Sequence, residues 1–275
     1  MLRSARSILA ALAVLVVVPS QAVAETVILV QGYLGSAGGW RKSGIGALLH
    51  GAGWRDGGHL SIAPGGGVVD ALPAPASARR FVTVDLPTEA PVLVQADALG
   101  GYIAHVRRQS PRERVVLVGH SAGGVVARLF MVRHPDAAVA GLVTIASPHL
   151  GTPWAELGNF LGSTPAAWMA PFMGFGTLNR SQALYHDLSR EHPRNLLGWL
   201  NRTPHPSAAY VSVVRVVDGR RPELGDSLAH GAAQDLNAVP ALAGRAETVF
   251  SPGDHGLRPD DGLLLVSILG RMTPQ

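Results

Sequence analysis

The sequence predicts an α/β fold in which a mostly parallel β-sheet is flanked by helices. Short runs of apolar, β-branched residues recur along the chain, and stretches with helical periodicity separate them. Strands that are apolar almost throughout are typical of a parallel sheet that is covered on both faces. The predicted strands span residues 26–30, 81–84, 114–118, 139–145, 210–217 and 246–250.

Helical periodicity fills several of the intervals between these strands. The predicted helices span residues 96–108, 125–134, 228–239 and 260–269. Residues 56–78 interrupt the pattern, because they are rich in Gly, Pro and Ala, and we interpret them as an irregular surface loop.

The N-terminus has the features of an export signal. Arg3 and Arg6 precede the apolar run 8–18, and the small residues 22–24 match a cleavage site. The apolar run is shorter than the roughly 20 residues that a membrane span needs. We therefore expect a signal peptide at 1–24, a secreted or periplasmic protein, and a single domain at 25–275.

The composition excludes several classes of function. The chain has no cysteine, which excludes thiol catalysis, thiolate metal sites and disulfides. The net charge is only +4, and no basic block is interleaved with aromatic residues, so nucleic acid is not an expected partner.

The motif Gly119-His120-Ser121-Ala122-Gly123 predicts a nucleophilic serine. A buried strand precedes the motif and a helix follows it, so Ser121 occupies a sharp and strained turn. Such a turn exposes the hydroxyl at the carboxyl end of a parallel sheet.

The insertion at 151–207 begins where a cap or lid over this serine would start. We expect the aromatic residues of this insertion to be buried in a core, and a cap that packs on the main domain would also bury them. They are Trp154, Phe160, Trp168, Phe172, Phe175, Tyr185 and Trp199.

A nucleophilic serine needs a histidine base and a carboxylate that orients it, and with this motif they follow in the order serine, acid, histidine. His255 lies beyond the last predicted strand, and His230 is the alternative. For the acid, position favours Asp226 over Asp218, which ends a strand in an ordinary turn sequence.

Two backbone amides are needed to bind the oxyanion that forms during acyl transfer. One is expected from Ala122, at the start of the helix that follows the nucleophile. The other is expected from Tyr33, in the glycine-containing loop after the first strand.

Five segments together resemble a known family: VILVQGY at 27–33, GHSAGG at 119–124, IASPHLGTP at 145–153, GD at 225–226 and HG at 255–256. With them, the chain resembles bacterial lipases and esterases of the α/β-hydrolase superfamily, in the group of triacylglycerol lipases and PGAP1-like deacylases. The resemblance implies an α/β-hydrolase fold, with Ser121, Asp226 and His255 as the triad and Tyr33 and Ala122 as oxyanion amides.

One departure concerns Gln31, which replaces the histidine that usually precedes the loop glycine in these lipases. A glutamine amide still offers a donor to hold the loop. His149 in the SPHLGTP segment is expected to be structural, since it precedes the acid in the chain.

We therefore predict a secreted serine ester hydrolase that cleaves hydrophobic carboxylic esters through an acyl-enzyme. No metal or organic cofactor is expected. Its partners would be a small ester or lipid substrate and, transiently, a lipid surface. An amidase, thioesterase or acyltransferase with the same triad is one alternative, and a non-catalytic binding protein on a hydrolase scaffold is another.

Overall fold

The structure, a computed structural model, describes residues 24–72, 79–162, 176–217, 219 and 221–272. These residues contain an eight-stranded sheet with the order β3-β2-β4-β1-β5-β6-β7-β8. The strands are β1 (Glu25–Val30), β2 (Arg55–Ile62), β3 (Val68–Leu72), β4 (Arg79–Val84), β5 (Arg114–His120), β6 (Gly141–Ile145), β7 (Ala209–Val216) and β8 (Ala246–Pro252). All neighbouring strands are parallel except β2 and β3. The prediction of a mostly parallel α/β sheet is confirmed.

Helices cover both faces of this sheet. They are α1 (Ala37–Lys42), α2 (Ile45–Gly51), α3 (Val92–Gln109), α4 (Ala122–Arg133), α5 (Pro153–Gly162), α6 (Gly176–Arg180), α7 (Gln182–Leu188), α8 (Leu196–Leu200), α9 (Gly231–Gln234) and α10 (Pro259–Met272). Helix α3 packs beside α4, and α10 packs beside α2. Among the helices that the structure describes, none is both long and apolar enough to cross a membrane.

The central strands supply two separate hydrophobic cores, one on each face. In β1, Ile28 and Val30 pack into the core beneath α3 and α4, whereas Val27 and Leu29 pack into the core beneath α1, α2 and α10. Successive side chains of a strand point to opposite faces, so an apolar run buries both sets. This arrangement explains why these strands show no alternation of polar and apolar residues.

The prediction of an irregular loop at 56–78 is wrong over the residues that the structure describes. The strands β2 and β3 form an antiparallel hairpin at the edge of the sheet, with Gly66 in a left-handed turn at φ 85°. A Cβ on Gly57 would lie 2.8 Å from Val82 Cγ1, so glycine lets β2 approach β4 closely. Backbone pairing, which composition does not reveal, determines this segment.

The helix predicted at 228–239 is also largely wrong, because this stretch contains only α9 and a 3₁₀ turn at Leu236–Ala238. Asp235 directly precedes this 3₁₀ turn. Its carboxylate accepts hydrogen bonds from Ser212 Oγ at 3.2 Å and Thr248 Oγ1 at 2.7 Å, which fixes the turn to β7 and β8.

The segment between β6 and β7 departs from strand–helix alternation, as predicted. Its described part consists of the four helices α5 to α8. Trp168, Phe172 and Phe175 lie outside the described residues, as do residues 1–23 of the predicted signal peptide. Of the described aromatic residues, Phe160 is 66% exposed and Trp154 is 56% exposed. The described aromatic residues of this insertion are therefore only partly buried.

Candidate active site

Ser121 lies in the tight turn between β5 and α4. Its backbone has φ 53° and ψ −130°, a conformation that residues other than glycine rarely adopt. The turn is closed tightly on its neighbours, because a Cβ on Gly119 would lie 2.4 Å from Gly124 Cα. A Cβ on Gly123 would lie 2.5 Å from the Gln31 carbonyl oxygen. These glycines let the turn pack against β1 and hold the Ser121 side chain at the carboxyl end of the sheet.

His255 follows β8 and reaches the same edge of the sheet. Its Nε2 lies 2.8 Å from Ser121 Oγ, and its Nδ1 lies 2.8 Å from Asp226 Oδ2. An ionised carboxylate only accepts hydrogen bonds, so this pairing places the ring proton on Nδ1. The Nε2 lone pair then faces the Ser121 hydroxyl.

Asp226 lies in the loop after β7, and its side chain is fully buried. The Oδ1 atom accepts hydrogen bonds from the Leu228 and Ala229 amides, both at 2.8 Å, which leaves Oδ2 for His255. The preceding Gly225 has φ 71°, a left-handed conformation that turns the chain back over the sheet edge. The carboxylate is therefore held in one orientation by backbone donors.

Asp254 links the loop of Asp226 to the loop of His255. Its Oδ1 accepts hydrogen bonds from the Ser227 amide at 3.0 Å, the Ser227 hydroxyl at 2.7 Å and the His255 amide at 2.8 Å. These bonds lower the pKa of Asp254, with the Ser227 hydroxyl contributing most. Asp254 thus contacts the backbone of His255 and leaves the imidazole to Asp226.

His120 contacts the opposite side of the His255 loop. Its Nε2 lies 2.7 Å from the His255 carbonyl oxygen, and the two rings lie 5.2 Å apart. Burial lowers the pKa of His120 to about 4, so the ring is neutral near pH 7 and donates through an Nε2 proton.

The loop after β1 passes directly beside the serine. A Cβ on Gly32 would lie 2.7 Å from Ser121 Cβ and 2.9 Å from the His120 carbonyl oxygen. Leu34 has φ 53°, and the Gly35 amide donates to the Gly32 carbonyl at 3.0 Å, which closes a tight turn around Tyr33. The residue before Tyr33 therefore passes against Ser121, and Tyr33 and Ala122 both line the cavity beside it.

Gln31, the residue that departs from the related lipases, is buried at the start of this loop. It is 3% exposed, and its Oε1 has no hydrogen-bond partner among the described residues. The hydrogen bond from the Gly35 amide to the Gly32 carbonyl closes the loop.

A cavity of about 370 Å³ opens beside Ser121 and His255. Apart from Ser121 and His255, its polar side chains are Tyr33, Thr152, Trp154 and Tyr185. The remaining lining residues are Ala122, Pro148, Ala155, Leu157, Gly158, Leu161, Leu184, Leu188, Leu228 and Ala229. Helices α5 and α7 of the insertion contribute most of this apolar wall.

Three polar contacts between the insertion and the loops near the cavity were not predicted from the sequence. The Trp154 indole donates to the Ser227 carbonyl at 2.9 Å, and the Thr152 hydroxyl donates to the Leu228 carbonyl. The Tyr185 hydroxyl lies 2.5 Å from the Tyr33 hydroxyl. These contacts connect the insertion to the loops of Asp226 and Tyr33, and no local motif signals such long-range pairs.

The alternative candidates lie elsewhere or outside the described residues. Asp218 is among the residues that the structure does not describe, and His230 is exposed beside α9. His149 is fully buried, its Nε2 lies 3.1 Å from Thr144 Oγ1, and burial holds its pKa well below the usual range. Within the described ranges, no group of His, Asp and Glu side chains is arranged to hold a metal ion.

Comparison with known proteins agrees with this topology. A family model described as a PGAP1-like alpha/beta domain matches residues 90–188, which include Ser121. This segment of the chain is therefore similar to PGAP1-like alpha/beta domains, in agreement with the expected resemblance. No curated protein matches the sequence.

Solved structures of low sequence identity share this α/β-hydrolase fold. The product of the gene lin2722 from Listeria innocua has a TM-score of 0.58 and 14% identity, over 90% of this chain and 92% of that one. The propeptide form of Bacillus licheniformis lipase BlEst2 has a TM-score of 0.55 and 16% identity, over 94% of this chain and 52% of that one. The metagenomic carboxyl esterase MGS0156 has a TM-score of 0.54 and 17% identity, over 92% and 76%.

Proposed function

We propose that this α/β hydrolase is an exported serine esterase that cleaves hydrophobic carboxylic esters through an acyl-enzyme. The observation that carries the proposal is the continuous chain from Ser121 Oγ to His255 Nε2 and from His255 Nδ1 to Asp226, with both contacts at 2.8 Å. A structural serine has no need of an oriented base, because its hydroxyl is satisfied by any acceptor.

In the proposed reaction, Ser121 Oγ attacks the ester carbonyl while its proton passes to His255 Nε2. The imidazolium that forms is stabilised by the Asp226 carboxylate, which the backbone amides hold in place. His255 then donates the proton to the leaving alcohol. In the second half, His255 removes a proton from water as the water attacks the acyl-enzyme, and it returns that proton to Ser121 Oγ as the acid leaves.

The amides of Tyr33 and Ala122 are the proposed oxyanion donors. Ala122 begins α4, and the amides in the first turn of a helix lack intrahelical partners and favour negative charge. Tyr33 follows Gly32, whose backbone passes against Ser121. These two positions support the amides of Tyr33 and Ala122 as donors to the oxyanion that forms when Ser121 attacks.

The cavity indicates a hydrophobic substrate group. Leu157, Leu161, Leu184 and Leu188 line it, and burial of each CH₂ of a ligand contributes about 0.8 kcal/mol. Exposed apolar side chains continue outward from this wall at Leu34, Trp154 and Phe160. This surface supports transient contact with a lipid surface during substrate transfer.

The proposal is tested by labelling with a fluorophosphonate probe and by hydrolysis of a short p-nitrophenyl ester. We expect the probe to modify Ser121 in the mature protein, and we expect Ser121→Ala to lose both labelling and hydrolysis. Ser36→Ala is the matched control, because Ser36 is exposed, follows the loop between β1 and α1, and is not part of the triad.

Labelling at another serine, or no labelling of the folded wild-type protein, would contradict the mechanism. Parallel assays with the corresponding anilide and thioester then compare leaving groups. Faster cleavage of the ester is the expected result for an esterase.

A further inference from the structure

An arginine lies in the interior of the fold, beneath the loop that carries His255. Arg215 is in β7 between the apolar residues Val214 and Val216, and its side chain has no solvent exposure. A buried guanidinium is costly unless charges and acceptors surround it. Its contacts therefore indicate what the residue holds in place.

The guanidinium binds an aspartate and the loop of His255 at the same time. Arg215 Nη1 and Nη2 donate to the two carboxylate oxygens of Asp261, both at 2.7 Å. Nη2 also donates to the Gly256 carbonyl at 2.9 Å, and Nη1 donates to Ser251 Oγ at 3.0 Å. Asp261 is fully buried in the first turn of α10.

The carbonyl before that of Gly256 also accepts a hydrogen bond from a buried side chain. His120 Nε2 donates to the His255 carbonyl, and Arg215 Nη2 donates to the Gly256 carbonyl. Two consecutive peptide oxygens of this loop are therefore fixed by hydrogen bonds. The segment between β8 and α10 has no regular secondary structure, and its position depends on such contacts.

The backbone of Arg215 extends the support to the other catalytic loop. Its amide donates to Gln234 Oε1 at 2.9 Å, and Gln234 Nε2 donates to the Ala229 carbonyl at 2.8 Å. Ala229 is also one of the two residues whose amides hold Asp226 Oδ1. A single position in β7 therefore contacts the histidine loop directly and the aspartate loop through Gln234.

From this geometry we propose that Arg215, fixed by Asp261, is a positioning residue that sets His255 at reacting distance from Ser121 and Asp226. The proposal rests on the proposed hydrolase function, and it adds a role for a charge pair that touches no substrate. Arg215 acts through the Gly256 carbonyl, and it holds the imidazole where Nε2 meets the serine hydroxyl.

The test removes both buried charges together in Arg215→Met/Asp261→Leu, because removing one would leave the other unpaired. The matched control is Arg80→Met/Glu113→Leu. That pair is bonded at 3.0 Å, with Glu113 buried and Arg80 12% exposed, and it lies beside Thr26 at the amino end of the strands, away from Ser121.

We expect kcat for a short p-nitrophenyl ester to fall by about 100-fold in the Arg215 double variant, because a displacement of about 1 Å has this effect on positioned groups. KM should change little, since the cavity wall is intact. The acid limb of the pH–rate profile should also move, because it reports the hydrogen-bonded histidine. The control pair should retain kcat and the profile.

Two further measurements separate positioning from general damage. Arg215→Lys retains a charge for Asp261 but not the planar fork, so partial recovery of kcat is expected. The second measurement is the downfield NMR signal of the His255 Nδ1 proton, recorded without substrate. We expect this signal to weaken in the Arg215 double variant relative to wild type. An unchanged signal and pH profile, or an equal loss of kcat in both double variants, would overturn the proposal. An inactive wild-type protein that retains this signal would instead count against the hydrolase function.

Discussion

Replacement of Asp226 by asparagine gives a sharp test of the proposed mechanism. In the native structure Oδ1 accepts from the Leu228 and Ala229 amides, both at 2.8 Å, and Oδ2 faces His255 Nδ1. An asparagine at this position must direct its oxygen toward the two amides, because its NH₂ group cannot accept from them. The NH₂ group then faces His255 and requires Nδ1 to accept.

The forced change of tautomer removes the base. With Nδ1 as acceptor, Nε2 carries the proton and points it at Ser121 Oγ, so it cannot take the serine proton. The loss in a comparable triad is about 10⁴-fold in kcat, equivalent to about 5 kcal/mol of transition-state stabilisation. The shape and volume of the side chain are unchanged, so the free energy of unfolding should change much less.

The assay is kcat for a p-nitrophenyl ester, measured alongside urea unfolding, with Asp218→Asn as the matched control. We expect Asp226→Asn to lose about 10⁴-fold and Asp218→Asn to remain near wild type. The reasoning fails if Asp226→Asn stays within tenfold of wild type, or if the Asp218 variant shows the larger loss.

Two other outcomes follow from packing and burial. Gly32→Ala should slow fluorophosphonate labelling of Ser121, because the new Cβ would lie 2.7 Å from Ser121 Cβ. In the control Gly39→Ala the new Cβ would have no atom within 4 Å, so this variant should be labelled at the wild-type rate. Equal labelling rates for the two variants would contradict the close approach of Gly32 to Ser121. Burial lowers the pKa of His205 to about 4, so between pH 6.5 and 4 the unfolded chain binds a proton that the folded protein excludes, and stability falls as pH drops. From pH 7 to 5 this histidine alone should cost about 2 kcal/mol in urea unfolding, which His205→Gln should remove and exposed His186→Gln should not.

Local sequence patterns were sufficient for the central strands and for the turn at Ser121. In β1 and β5, the runs Val27–Val30 and Val115–Val118 are apolar throughout because both faces of the strand are buried, and this pattern depends only on neighbouring residues. The hairpin of β2 and β3 was missed because its stability comes from pairing at the sheet edge, which a glycine-rich composition does not show.

Candidate site residues could be named from the sequence because chain order limits the choice. Asp226 and His255 follow the strands whose carboxyl ends meet at the edge that holds Ser121, and the structure brings all three together. Arg215 was not singled out, since one charged residue in an apolar strand gives no indication of its partner.

The sequence by itself determined the order of the central strands, the turn at Ser121 and the short set of candidates for its acid and base. These features depend on residues close together in the chain or on the order of elements. The tertiary structure alone decided which side chains of the insertion line the cavity, how Asp254 joins two loops, and what Arg215 holds. Each depends on contacts between residues far apart in sequence, such as Arg215 and Asp261, whose pairing only the folded backbone specifies.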